Sequence, residues 1–138
     1  MDSVRWSPDM SLGVPALDAA HREFLQDLMR LDGVGDENFG AAFQELVARI
    51  EADFHEEESL MEALDYPGLR SHREQHARVL SALHHIEPRV VEGDVALGRD
   101  AVELLPQWFV VHLSTMDTAL AFALELNNEE KKRVAGTA

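Results

Sequence analysis

The chain has 138 residues, 46% hydrophobic and 28% charged, a balance that suits one globular domain with a single buried core. Twelve Lys and Arg against 26 Asp and Glu leave a formal charge of −14, which repels phosphate backbones and anionic lipid and argues against both as partners. Cysteine is absent, which removes disulfides, thiolate metal sites, iron–sulfur clusters and thiol catalysis from consideration.

The opening Met1-Asp2-Ser3-Val4-Arg5-Trp6 has no charged start followed by an apolar stretch, so no signal peptide is expected. No membrane span is expected either, for want of an apolar run of roughly 18–20 residues. A cytoplasmic protein without membrane attachment is therefore expected. Pro8, Gly13 and Pro15 break up residues 1–15, which read as an extended arm. A helix is expected over about 16–31, ending at the loop Asp32-Gly33-Val34-Gly35-Asp36. Asp36 suits the N-cap of a second helix over about 37–64. Tyr66-Pro67-Gly68 turns the chain into a third helix over about 69–91. The stretch from Glu92-Gly93-Asp94 to Gly98 is the third break, and a fourth helix is expected over about 98–126. Pro88 and Pro106 fall inside helices and should kink them. The polar tail from Asn127 to Arg133 should fray. No segment alternates apolar and polar residues over a strand's length, so the expected class is all-α. Short connections favour antiparallel neighbours. The reading is a single domain, 1–138, built as an up-down-up-down four-helix bundle.

At about 100° per residue, the second helix buries Phe39, Leu46, Ile50, Leu60, Met61 and Leu64. Asp53 and Glu57 fall in the middle of that stripe, and His55 falls on the opposite face. In the third helix His72 and His76 share the apolar face with Val79, Leu83 and Ile86, while His84 and His85 lie outside it. His21 sits among Leu17, Phe24, Leu25 and Leu28 in the first helix. In the fourth, His112 and Asp117 flank Leu105, Phe109, Leu113, Met116 and Leu120. Their i, i+5 spacing needs a bulge or kink if both are to point inward. Four imidazoles and three carboxylates thus turn inward with no Lys or Arg among them.

Each taken alone has an ordinary explanation. A single histidine on an apolar face is usually a hydrogen-bonded core residue, and Asp53 with Glu57 could mark a solvated edge. Convergence from all four helices is the stronger signal. A buried carboxylate without a partner costs several kcal/mol, and a pair of metal ions would satisfy all seven groups at once. Nitrogen and oxygen donors without sulfur suit iron, manganese or zinc.

The ordered pieces Trp6, Leu17-Asp18-Ala19-Ala20-His21, Glu57-Glu58-Ser59-Leu60-Met61, Tyr66-Pro67-Gly68-Leu69, His72-x3-His76 and Trp108-x3-His112-x4-Asp117 resemble a single-domain bacterial hemerythrin over about residues 5–125. That resemblance implies a non-haem di-iron centre that binds O2, with two iron ions and an oxo or hydroxo bridge. His72, His76 and His112 would hold one iron, Glu57 and Asp117 would bridge, and His21 would be a terminal ligand of the second. One position departs: the family carries a His four residues before the bridging Glu, and this chain has Asp53. Asp53 is read as the ligand that takes this place; the alternatives are that water fills the position or that a local bulge brings in His55.

The implied function is O2 storage, delivery or sensing by a monomer, with sensing requiring a signalling or redox partner protein. The competing class is an enzyme, a di-iron oxidase or peroxidase acting on O2 or peroxide. Asp53 favours it, because an anionic ligand stabilises the ferric state. A purely structural bundle would leave the buried carboxylates unexplained.

Overall fold

The computed structural model describes residues 4–136; the first three residues of the expected arm lie outside that range. Five helices, α1 Pro15–Asp32, α2 Asp36–Leu64, α3 Leu69–Val91, α4 Val95–His112 and α5 Thr118–Gly136, follow a short 3-10 turn at Pro8–Met10. A π-helical turn, Leu113–Asp117, joins α4 to α5, so the two run as one helix, Val95–Gly136. α1 packs on α2 and α4, α2 on α3, and α3 on α4. The result is an all-helical four-helix bundle, and no strand occurs among the described residues.

Three local features differ from the sequence reading. Asp36 does not cap α2; Gly35 takes the N-cap position without a side-chain bond. The Asp36 carboxylate instead accepts a bond from Arg99 at 2.9 Å. The fourth helix starts at Val95 rather than near 98, because the Asp94 carboxylate accepts from the Leu97 N–H at 3.3 Å and supplies the cap. Gly98 is therefore no breaker. It is a buried helical residue whose missing Cβ leaves room for Phe39 and Val90; an added Cβ would lie 2.5 Å from the Phe39 ring. The tail is helical through Gly136.

The described part of the arm lies along the bundle, with Val4, Trp6, Met10 and Leu12 packed against the core. Asp18, in the first turn of α1, fastens it by accepting from Ser11 Oγ at 2.6 Å and from the Leu12 N–H at 2.8 Å. The larger apolar cluster includes Phe24, Leu28, Phe39, Phe43, Val47, Ile50, Leu83, Val102 and Phe109. A smaller one gathers Leu17, Met61 and Leu120. Along α1 and α2, His21 and Glu57 fall between residues of the two clusters, so a polar layer divides the core.

Contrary to the sequence reading, one stretch of the Val95–Gly136 helix is long and apolar enough to cross a membrane by length and composition. This helix also carries His112 and Asp117, both buried inside the bundle. His112 and Asp117 thus face the partner helices of the bundle and not its outer surface.

Candidate metal centre

Why His112 and Asp117 meet is a matter of backbone. On a regular helix, residues five apart point about 140° away from each other. The π-helical turn inserts extra backbone between them, and both side chains reach the core, at 3% and 1% exposure. The local sequence supports this turn. Ser114 Oγ and Thr115 Oγ1 donate to the Val111 carbonyl at 3.2 and 2.7 Å. Thr118 Oγ1 donates to the Leu113 carbonyl at 2.8 Å. Hydroxyls that return to preceding carbonyls are a known way to bend or widen a helix. The bulge expected from the spacing is thus present.

Two groups of donor atoms result. Glu57, His72, His76 and His112 form one, and His21, Glu57 and Asp117 the other; within each group the donor atoms lie within 4.8 Å of one another. Glu57 belongs to both. Asp117 also reaches across, with Oδ1 3.1 Å from His72 Nε2 and 3.2 Å from His112 Nε2, while its Oδ2 is 3.2 Å from His21 Nε2. Glu57 Oε1 lies 2.5 Å from His72 Nε2 and 3.5 Å from His76 Nε2.

These atoms are close, yet several lack a hydrogen bond. Glu57 Oε1, His76 Nε2 and Asp117 Oδ1 are buried without a hydrogen-bond partner, so closeness here comes without bonding geometry. The outer ring nitrogens explain part of this. His76 Nδ1 faces Glu58 Oε2 at 3.0 Å, and His112 Nδ1 faces Gln75 Oε1 at 2.9 Å. Both partners are acceptors, so each Nδ1 carries a proton, and in a neutral ring each Nε2 then presents a lone pair. Lone pairs therefore point inward at carboxylate oxygens. Only protons or cations can reconcile them. Among the described residues, the ion-pair partners of Glu57 and Asp117 are all imidazoles.

In the metal-free chain the histidines do part of this work. Burial alone would lower the His72 imidazole, but the adjoining Asp117 and Glu57 carboxylates outweigh it and raise its pKa to about 9. His21 is raised too: burial opposes the shift, and Asp117 and then Glu57 overcome it. Asp117 is held far below the usual carboxylate range; burial pushes it up, but His112, His21 and His72 together pull it further down. The donor set of nitrogen and carboxylate oxygen, closely grouped and short of cations, fits divalent or trivalent iron, manganese or zinc.

Aromatic rings wall the layer. Phe54 stacks on His76 with centroids 3.8 Å apart and planes 5° from parallel, and Trp108 stacks on His112 at 4.6 Å and 15°. Phe109 meets His21 edge-on at 5.3 Å.

The family model for the hemerythrin HHE cation binding domain matches residues 12–123. The chain belongs to the hemerythrin family. It is 38% identical over 117 residues to a bacteriohemerythrin of Ralstonia nicotianae, covering 85% of each chain. It is 31% identical over 117 residues to a hemerythrin subunit from Sipunculus nudus, covering 84% of this chain and 89% of that one. A bacteriohemerythrin of Pseudomonas aeruginosa matches at 25% over 134 residues, 94% of this chain and 87% of the other.

Six of the seven inward residues singled out in the sequence, His21, Glu57, His72, His76, His112 and Asp117, make up the two donor groups. Asp53 is in neither. It is half-buried and lines a cavity of about 30 Å³ together with His21, Phe24, Phe54, Glu57 and Trp108. Burial first, then the charges of Glu56, Glu23 and Asp27, push its carboxyl up to about 6, with His21 offsetting part of the rise. His55, His84 and His85 are exposed. Sequence reasoning did not find Glu58 and Gln75, the residues behind two of the histidines. Their only signal was adjacency in sequence to Glu57 and His76.

Proposed function

We propose that this hemerythrin-family chain holds two iron ions, one in each donor group, and binds O2 for storage, delivery or sensing as a cytoplasmic monomer. The observation that carries the reading is Glu57, shared by both donor groups, which is what a carboxylate serving two ions requires. Bound there, iron would supply the electrons that O2 binding needs. The protein's own part is to hold and shield. Glu57 and Asp117 offset the positive charge of the ions. His72, His76 and His112 would hold one of the ions together with Glu57. His21 stands on the side that adjoins the cavity, whose volume of about 30 Å³ is near that of one or two small molecules. Phe24, Phe54, Trp108 and Phe109 line it with aromatic surface and limit water.

Asp53 favours a second reading. Its carboxyl, pushed up to about 6, stands at this cavity and can hold a proton beside a small ligand at mildly acidic pH. Such a group would serve an oxidase or peroxidase as a general acid. Whether Asp53 also ligates iron belongs to this reading. The experiment is to load Fe(II) anaerobically, admit O2, then purge with argon while following the visible spectrum. A spectrum that returns on purging, cycle after cycle, supports O2 binding. Irreversible oxidation with turnover of added peroxide supports the enzyme.

A further inference from the structure

The four buried imidazoles are not backed alike. His21 Nδ1 and His72 Nδ1 have no hydrogen-bond partner. His112 Nδ1 faces a neutral amide, Gln75. His76 Nδ1 faces an anion, Glu58 Oε2, at 3.0 Å. The other Glu58 oxygen, Oε1, accepts from Arg73 Nε at 2.9 Å, and Arg73 also pairs with Glu62. Burial falls in steps along this chain of contacts. The His76 side chain is 1% exposed, Glu58 20% and Arg73 45%. A single line of charge therefore runs from the polar layer of the core to solvent.

We infer that Glu58 is a positioning residue for His76, and that Arg73 sets how strongly the Glu58 charge is felt at the metal. This rests on the metal-binding reading above. A carboxylate accepting the Nδ1 proton fixes the tautomer, turns Nε2 inward and makes the imidazole a more basic ligand. That favours the more highly charged metal state and so lowers the reduction potential. The Arg73 guanidinium draws on the same carboxylate and weakens its effect. The two residues thus act on the metal in opposite directions. Phe54, stacked on the His76 ring, holds the ring plane, which leaves Glu58 to set the proton. An exposed ion pair such as Arg73–Glu58 contributes little to folding stability, so a merely structural role predicts almost no effect from losing Arg73.

The test uses the full chain with Glu58→Gln, Glu58→Ala and Arg73→Gln. Co(II) titration should show Glu58→Ala weakening the tighter metal site by about 10- to 100-fold, and Glu58→Gln, which keeps a bond to the ring, weakening it less. In the iron-loaded protein, Glu58→Gln should raise the reduction potential. Arg73→Gln should lower it while leaving the melting temperature unchanged. Nitrogen NMR of the metal-free wild type should find the His76 proton on Nδ1, with Glu58→Ala redistributing it. Co(II) affinity within twofold of wild type in Glu58→Ala, potentials that move together in Glu58→Gln and Arg73→Gln, or a His76 proton on Nε2 would each overturn the inference. Wild-type protein that takes up no metal would bring down the functional reading and this inference together. Metal uptake indifferent to Glu58 and Arg73 would bring down this inference alone.

Discussion

Removing the metal should make the bundle sensitive to rising pH. In the metal-free chain, the pKa of His72 is raised from 6.5 to about 9: burial opposes the rise, and Asp117 and Glu57 outweigh it. A basic group whose folded-state pKa is raised contributes stability that is fully present below its unfolded value. That contribution is lost as pH climbs through the folded value. His72 is 1% exposed, so solvent screens the effect little. A rise of this size at about 1.36 kcal/mol per unit corresponds to about 3 kcal/mol. For a chain of this length that is a fall of roughly 10 °C in Tm. His21 shifts in the same direction and adds to the loss. Asp53, raised to about 6, acts with the same sign, but most of its titration lies below this window. The lowered Asp117 matters only in acid. The assay is thermal unfolding of chelator-treated and metal-loaded protein at pH 6.5 and 9.5. Metal replaces the protons in the loaded form, so the gap between the two curves should widen with pH. Equal Tm values at the two pH values for the metal-free form would refute this account of the polar layer, as would parallel losses in both forms.

Asp53→His removes an anionic group beside the centre, so the reduced iron-loaded protein should be oxidised by O2 more slowly. A tenfold change needs only about 1.4 kcal/mol, and stopped-flow absorbance measures it; equal rates would make Asp53 electronically silent. Replacing His55, His84 and His85 together by Ala should leave metal content and visible spectrum unchanged, because all three are exposed; loss of metal would mean that an outer histidine is a ligand. Gly98→Val forces side-chain atoms into Phe39 and Val90, since even a Cβ would lie 2.5 and 2.8 Å from them. Overpacking of this kind costs about 1–3 kcal/mol, and denaturant unfolding should register it without change in metal affinity.

Much of this molecule was legible before its structure, for identifiable reasons. Helical periodicity separates inward from outward histidines because one turn places His72 and His76 together and His55 opposite Glu57. The spacing from His112 to Asp117 signals a defect in the helix, and the π-helical turn at Leu113–Asp117 supplies it. Other features depend on contacts distant in sequence. Gly98 reads as a breaker from composition, and only the approach of Phe39 and Val90 explains it as a packing residue. Asp36 reads as a cap, yet Arg99, 63 residues away, takes its carboxylate. Glu58 and Gln75 look like ordinary surface residues of α2 and α3 until the neighbouring helix brings His76 and His112 against them. Angles around one helix say which way a side chain points. They do not give the distance to the next helix, and that is why Asp53 reads as inward but stands at the cavity wall, outside both donor groups.

The proposed pair of iron ions in the bundle core rests on two donor groups that share Glu57. The most direct measurement is the iron content of protein reconstituted anaerobically with Fe(II) and freed of loose metal by gel filtration, counted per chain by elemental analysis. Two iron ions per chain are expected, with the count reduced in Glu57→Ala. A reproducible count of one would contradict the paired site and leave a mononuclear His72, His76 and His112 centre. A count of zero in folded protein would contradict iron binding altogether.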